Sequence, residues 1–187
     1  SFGGNSAAGI EMDGSKSVAI LIECEISQCT STSSSALYVG GGLLEFKRCV
    51  LKENVACAWG ASGRMGGGTM RLKDCKVFNN FADVTGGGCF VLGSESATIE
   101  LIDTVLDKCR TGTTGPGAAI LISAAGGNLI ARNATISRST SASDSAISIA
   151  APASVFTFES TLLTLIPPCP LDTHVYRGTL NAYDPSP

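Results

Sequence analysis

The frame Cys75-Lys76-Val77-Phe78-Asn79-Asn80 returns along this chain at near-constant spacing, and no other feature narrows the possible folds so far. It sets a small residue first, an apolar one two places on, and a compact polar one three places further. Upstream copies are Cys24-Glu25-Ile26-Ser27-Gln28-Cys29 and Cys49-Val50-Leu51-Lys52-Glu53-Asn54. Downstream copies are Thr104-Val105-Leu106-Asp107-Lys108-Cys109 and Ala134-Thr135-Ile136-Ser137-Arg138-Ser139, with a weaker Thr161-Leu162-Leu163-Thr164-Leu165-Ile166. First positions fall at 24, 49, 75, 104, 134 and 161, giving steps of 25, 26, 29, 30 and 27 residues. A recurrence of this length means one supersecondary unit repeated in an array.

Two further columns keep the same register. One is a small residue followed by an apolar-x-apolar triplet: Gly9 before Ile10 and Met12, Ala36 before Leu37 and Val39, Cys89 before Phe90 and Leu92, Ala119 before Ile120 and Ile122, and Ala146 before Ile147 and Ile149. The third copy fills it poorly, with Ser62-Gly63-Arg64-Met65. The other column pairs Ala19 with Leu21, Leu44 with Phe46, Met70 with Leu72, Ile99 with Leu101, Leu129 with Ala131 and Phe156 with Phe158. Apolar residues alternate at period two, the period of a strand, and no window sustains a helical one. About three short strands per repeat, joined by polar corners and without helices between them, cannot build a doubly wound sheet. They build a solenoid in which equivalent strands of successive coils pair in parallel. The expected fold is all-β: a right-handed parallel β-helix of about six coils over residues 1–166, roughly 25–30 Å long at the usual inter-strand spacing. Residues 167–187, opening on Pro167-Pro168-Cys169-Pro170, read as a C-terminal cap or linker.

Composition agrees. Charged residues make up 16% of the chain and glycine 22 of its 187 residues, as a narrow interior and left-handed corners require. A net charge of −3 is too small to imply a nucleic-acid or membrane-surface partner. No apolar run approaches the ~20 residues needed to span a bilayer, so no membrane insertion is expected. The chain begins inside a repeat, without an initiator Met or a signal-like segment, and reads as a fragment or mature segment of a longer protein. The eight cysteines, an even number, tilt toward an oxidising compartment. Cys24, Cys49 and Cys75 share a column and should stack on adjacent rungs. Two alternatives stand: a bridge, of which Cys29–Cys57 near one corner is the first candidate, or reduced stacked thiols serving as small core residues. There is no CxxC and no Cys/His cluster, so no metal or other cofactor is expected. Asn133-Ala134-Thr135 is a candidate glycosylation sequon, with Asn133 expected to be half-buried in the anchor column.

The last position of the repeating frame reads Cys29, Asn54, Asn80, Cys109 and Ser139. Compact polar residues stacked rung over rung can satisfy the backbone at an inward corner, a structural ladder instead of a reactive site. On the outside, Glu45, Arg71 and Glu100 fall in one column with alternating sign, so neighbouring rungs should pair.

Val77-Phe78-Asn79-Asn80-Phe81-Ala82 followed by Gly86-Gly87-Gly88-Cys89-Phe90 resembles the polymorphic outer-membrane-protein repeat, which joins a Phe-x-x-Asn element to a Gly-Gly-small-apolar one. Gly40-Gly41-Gly42 and Gly66-Gly67-Gly68 echo the second element, although they follow their strand instead of preceding it. The resemblance spans about residues 5–165 and is strong over 73–92. It implies, as do the broader pectin-lyase-like β-helices, a secreted or cell-surface adhesive or structural rod.

The rival is a polysaccharide-binding or polysaccharide-processing β-helix of the lyase or hydrolase kind. That chemistry needs clustered carboxylates and a base on one outward face. The outward positions of the first strand column read Glu11, Tyr38, Arg64, Val91, Leu121 and Ser148, with no carboxylate pair on neighbouring rungs. Asp103 and Asp107 flank an ordinary polar turn, and His174 sits alone in the tail. Trp59 reads as a loop anchor before a sugar platform. The expectation is therefore a non-catalytic module, not an enzyme. Its partners would be other protein subunits or further coils of the same chain, with glycans as a second class.

Overall fold

The computed structural model describes residues 9–164, apart from 33–34, 85, 113–114, 116, 124–125, 142–145 and 150–154, together with the strand 177–183. Cys169 and His174 lie outside the described residues, as do Ser33, Ser34 and the Thr113-Thr114 pair, which the sequence reads as parts of polar corners. Everything described is strand or connection, and the strands stack as a parallel β-solenoid of six rungs and about five turns.

Each rung contributes to up to four columns of parallel strands. The first column holds Ile10–Met12, Leu37–Val39, Gly63–Met65, Phe90–Leu92, Ile120–Ile122 and Ile147–Ile149. The second runs from Val18–Ile22 through Leu43–Lys47, Thr69–Lys73, Thr98–Ile102 and Asn128–Arg132. The third runs from Glu25–Ser27 through Val50–Lys52, Lys76–Phe78, Val105–Asp107 and Thr135–Ser137. Val155–Thr164 closes both as one strand, and Arg177–Tyr183 adds in parallel beyond it. The fourth column is short: Thr30–Ser31, Val55–Ala56, Phe81–Ala82 and Arg110–Thr111.

The interior follows from period two. Leu44, Phe46, Met70, Leu72, Ile99, Leu101, Leu129 and Ala131 of the second column face Leu51, Val77, Leu106 and Ile136 of the third and Leu37, Met65, Phe90 and Ile122 of the first, all in one continuous core. Gly63, the weak fit in the sequence, costs the core nothing. The place of its missing side chain is taken by the Met70 Cε and the Phe90 ring, each 3.1 Å from where a Cβ would stand.

The corners differ from the expected glycine-led turns. Between the second and third columns stand Glu23, Arg48, Asp74, Asp103, Asn133 and Ser160, all with φ between 48° and 54°. Between the third and fourth stand Gln28, Glu53, Asn79, Lys108 and Arg138, with φ of 47° to 56°. Single left-handed residues thus turn the chain twice per coil, and most carry long polar side chains that project into solvent. True glycine corners sit elsewhere. Gly42 and Gly68, both at positive φ, stack between the first and second columns, where a Cβ on Gly68 would stand 2.6 Å from the Gly42 carbonyl oxygen. Gly86-Gly87-Gly88 belongs to a different corner, the return to the first column, so the glycine triplets that look alike in sequence are not equivalent in space.

That return also reshapes the first column. Val91 and Leu121 point outward by alternation, yet they are 1% and 5% exposed. The returning chain lies over them: a Cβ on Gly87 would sit 2.5 Å from Val91 Cγ2. On these two rungs the first column is consequently buried on both sides, which is why they read Phe90-Val91-Leu92 and Ile120-Leu121-Ile122 without a polar position, whereas Glu11 is exposed and Tyr38 and Arg64 are half-buried at the same outward position.

Candidate interaction surface

A left-handed residue at each corner rotates the next peptide out of the ladder, and the following inward residue must repair the loss. At the third-to-fourth corner, Asn54 and Asn80 do so. The Cys29 N–H donates to Asn54 Oδ1 at 3.1 Å, and the Asn54 N–H donates to Asn80 Oδ1 at 3.0 Å. Asn80 Nδ2 donates to the carbonyls of Leu51 (3.2 Å) and Phe78 (3.0 Å). Asn54 Nδ2 donates to the Ile26 carbonyl and to Asn80 Oδ1. Both side chains are fully buried.

The second-to-third corner repeats this wiring with sulfur. The Cys24 N–H points to Cys49 Sγ, the Cys49 N–H to Cys75 Sγ and the Cys75 N–H to Thr104 Oγ1, each at 3.4 Å. Cys49 in turn shares its one S–H between the Leu21 and Lys47 carbonyls, Cys75 between Phe46 and Lys73, and Thr104 its one O–H between Leu72 and Ile102. A thiol here fills the place that a threonine hydroxyl takes one rung on. Burial pushes the Cys75 thiol up, so it stays protonated and able to donate.

Among the described residues one disulfide forms, and it is not the expected one. Cys29 and Cys57 are both free thiols. Register explains why: Ser27 pairs with Lys52 and Thr30 with Val55, so Cys29 stands opposite Asn54, three residues short of Cys57. That offset is ~10 Å along a strand, beyond the reach of a disulfide. The bond instead joins Cys89 to Cys109, Cα–Cα 5.4 Å, across the interior from the start of the first column to the third-to-fourth corner. Cys109, read as part of the polar ladder, is thus committed to this brace. The same crossing recurs three coils earlier, where a Cβ on Gly9 would lie 3.6 Å from Cys29 Sγ.

Outside, charge is neutralised rung against rung. Arg71 stands between Glu100 (2.6 Å) and Glu45 (3.8 Å), and Lys47 closes on Glu45 at 3.3 Å. The hydrogen bond to Glu100 and the two carboxylate charges hold the Arg71 guanidinium above its ordinary pKa, against partial burial. Arg48 pairs with Glu23, Lys52 with Glu25 and Arg132 with Glu159. Asp107 meets Arg138 and accepts from Ser137 Oγ at 2.8 Å. Partial burial works against its ionisation, but those hydrogen bonds and the Arg138 and Lys108 charges outweigh it and hold the carboxyl below the usual range. Asn133 is exposed, not half-buried: its corner turns it outward, where Nδ2 donates to Asp103 Oδ1 at 2.6 Å. Trp59 is held beneath the Arg64 guanidinium, 5.0 Å from the ring centroid. No group of three or more His, Cys, Asp or Glu among the described residues is placed to hold a metal ion.

The surface that departs from this pattern is the first rung. In the second column the outward positions of inner rungs are occupied by residues such as Glu45, Arg71, Lys73 and Glu100. On the first rung they are Val18, Ile20 and Ile22, exposed to 64%, 51% and 50%. The inward residues Ala19, Leu21, Cys24 and Ile26 of that rung are partly exposed too, because no described strand lies beneath them. All four first-rung strands, Ile10–Met12, Val18–Ile22, Glu25–Ser27 and Thr30–Ser31, end their columns with one edge unpaired among the described residues. In sequence, Val18-Ala19-Ile20-Leu21-Ile22 is the signal: five consecutive apolar residues, where the inner copies of this column place polar residues at most outward positions. No family model, curated protein or solved structure matches the chain.

Proposed function

We propose that this chain is a non-catalytic β-solenoid module of an extracellular or cell-surface protein, serving assembly or adhesion. The carrying observation is the first rung, where strand edges unpaired among the described residues coincide with an apolar outer face. A flat apolar edge of this kind invites further strands and is otherwise a liability. The remaining faces support a strut: the carboxylates of Glu45, Glu100, Asp107 and Glu159 are engaged by arginines, which leaves them poorly placed for proton transfer. The Cys89–Cys109 bridge supports an oxidising compartment. In that compartment Asn133, exposed within its sequon, would carry an N-glycan.

The alternative, a glycan-binding or glycan-processing β-helix, draws on one feature. A shallow depression on the third column is lined by Lys76, Val77, Phe78, Val105 and Asp107, an apolar floor with charge at its margins. One experiment separates the two readings. The purified chain is incubated with neutral and acidic polysaccharides while new reducing ends are measured, and retention on the same immobilised polymers is recorded. The strut reading expects no chain cleavage and no retention. Cleavage, or retention abolished by Phe78→Ala, would replace it with the alternative.

A further inference from the structure

Rung-against-rung neutralisation also lapses on the outer face of the third and fourth columns, on inner rungs of the solenoid. There Lys52 is taken by Glu25, and Arg138 by Asp107. Lys76, Lys108 and Arg110 are exposed and enter no ion pair among the described residues. Register gives the reason. Lys76 has Val50 and Val105 as its ladder neighbours, and Arg110 has Phe81 and Thr140. Lys108 occupies a left-handed corner between those of Asn79 and Arg138. No carboxylate stands on an adjacent rung at any of these positions, and Lys108 acts on Asp107 through its charge without a hydrogen bond. A chain of net charge −3 thus carries a local excess of unpaired cations.

These cations surround apolar surface. Phe78 and Phe81 flank the Asn79 corner on one rung, both half-buried. Val55 and Val105, on the rungs to either side, are 38% and 37% exposed. Phe78 and Val105 line the shallow depression, about 150 Å³ in volume, with Lys76 and Asp107 at its margins.

The chemistry of these groups selects the occupant. Lysine and arginine donate hydrogen bonds and accept none. Asp107, the acceptor side chain of the depression, is already engaged by Arg138 and Ser137. Sugar hydroxyls, which both donate and accept, would find no free acceptor side chain there. A carboxylate next to an aliphatic or aromatic group matches both halves of the surface, and a peptide presents the two side by side.

We propose that this face docks an acidic segment of a partner protein, with an apolar side chain seated between Phe78 and Val105 and carboxylates paired with Lys76, Lys108 and Arg110. Charge complementarity of this kind steers encounter and excludes basic partners, while the apolar anchor holds the complex. This deepens the assembly or adhesion reading given above and rests on it. Because the face lies on inner rungs, it stays open whatever adjoins the two ends of the solenoid.

The test selects phage-displayed random peptides on the immobilised chain. Enriched sequences are then synthesised with a fluorescent label and titrated by anisotropy. They are expected to carry several Asp or Glu within a few residues of Leu, Ile or Phe, and to bind less tightly as salt is raised. Phe78→Ala, Lys108→Glu and Arg110→Glu should each weaken binding by about fivefold or more. Lys16→Glu, an equal change of charge on another face, should leave it within about twofold. Far-UV circular dichroism checks the fold, and the two charge reversals, both in solvent, keep the test decisive if Phe78→Ala unfolds. Enrichment of no peptide, or of peptides without acidic residues, overturns the proposal. So does binding that survives both charge reversals or that Lys16→Glu weakens as much. Such a failure without retention on polysaccharides loses the docking face alone and leaves the strut reading standing; retention abolished by Phe78→Ala removes both.

Discussion

Replacing Asn80 by alanine tests the corner ladder at its most heavily used member. The side chain is fully buried and makes four N/O hydrogen bonds: it donates to the Leu51 and Phe78 carbonyls and accepts from Asn54 N–H and Asn54 Nδ2. At about 1 kcal/mol net for each bond, the substitution removes about 4 kcal/mol, and the Asn54 N–H is left buried without an acceptor. We expect a loss of about 3–5 kcal/mol, a large share of the roughly 5–15 kcal/mol that holds a domain folded. Urea unfolding followed by circular dichroism at neutral pH measures it. Asn80→Asp keeps the shape but sets carboxylate oxygens against two carbonyls, so it should be at least as damaging at neutral pH. Its pKa should be raised by burial, so that its deficit relative to wild type shrinks as pH falls through that raised value. Asn79→Ala is the control, because Asn79 occupies the neighbouring left-handed corner and its replacement costs only backbone strain, about 1 kcal/mol. If Asn80→Ala costs no more than Asn79→Ala, the ladder does not satisfy the corner and the reasoning fails.

Four further outcomes follow from the same geometry. Arg71→Met leaves the largely buried Glu45 with Lys47 as its remaining ion partner and should lower stability by about 1–2 kcal/mol in urea melts. Arg138→Ala removes the main support of the Asp107 carboxylate. Because the folded pKa of Asp107 is depressed, the stability it contributes is present above its unfolded value of about 4 and is lost as pH falls through the folded value. The variant should therefore melt below wild type at neutral pH and converge with it in acid. Lys108→Asn puts a residue suited to positive φ at a corner where φ is 51°, and thermal melts should show a gain of about 0.5–1 kcal/mol. Gly9→Cys should oxidise with Cys29 and reproduce the Cys89–Cys109 brace across a loop of the same span, seen as one titratable thiol fewer than wild type despite the added cysteine and a gain of up to about 3 kcal/mol.

Some of the surface chemistry was also open to sequence reasoning. The alternation of Glu45, Arg71 and Glu100 is visible once the repeats are aligned, and the structure joins the three as one ion-paired column. The apolar run at Val18–Ile22 could have been recognised as the anomalous rung, since there all three outward positions are apolar, whereas each inner copy from Leu43–Lys47 to Asn128–Arg132 keeps at least two polar ones. The Cys89–Cys109 bond was not legible. Its partners belong to different columns, and their closeness depends on the width of the cross-section, which spacing along the chain does not encode. The burial of Val91 and Leu121 was hidden for the same reason, because it comes from a returning loop that packs on the outside of a strand.

The sequence by itself determined the repeat, the strand period, the parallel stacking and the membership of the inward columns. These are local or strictly periodic properties: a side chain's face follows from its parity, and equivalent positions must stack if the units do. Tertiary structure alone decided which residues take the left-handed corners, which two cysteines meet across the interior, and which outward positions are covered. Each of these depends on how the coil closes around its core. That closure brings residues of different columns to within bonding distance, and one-dimensional spacing carries no measure of it.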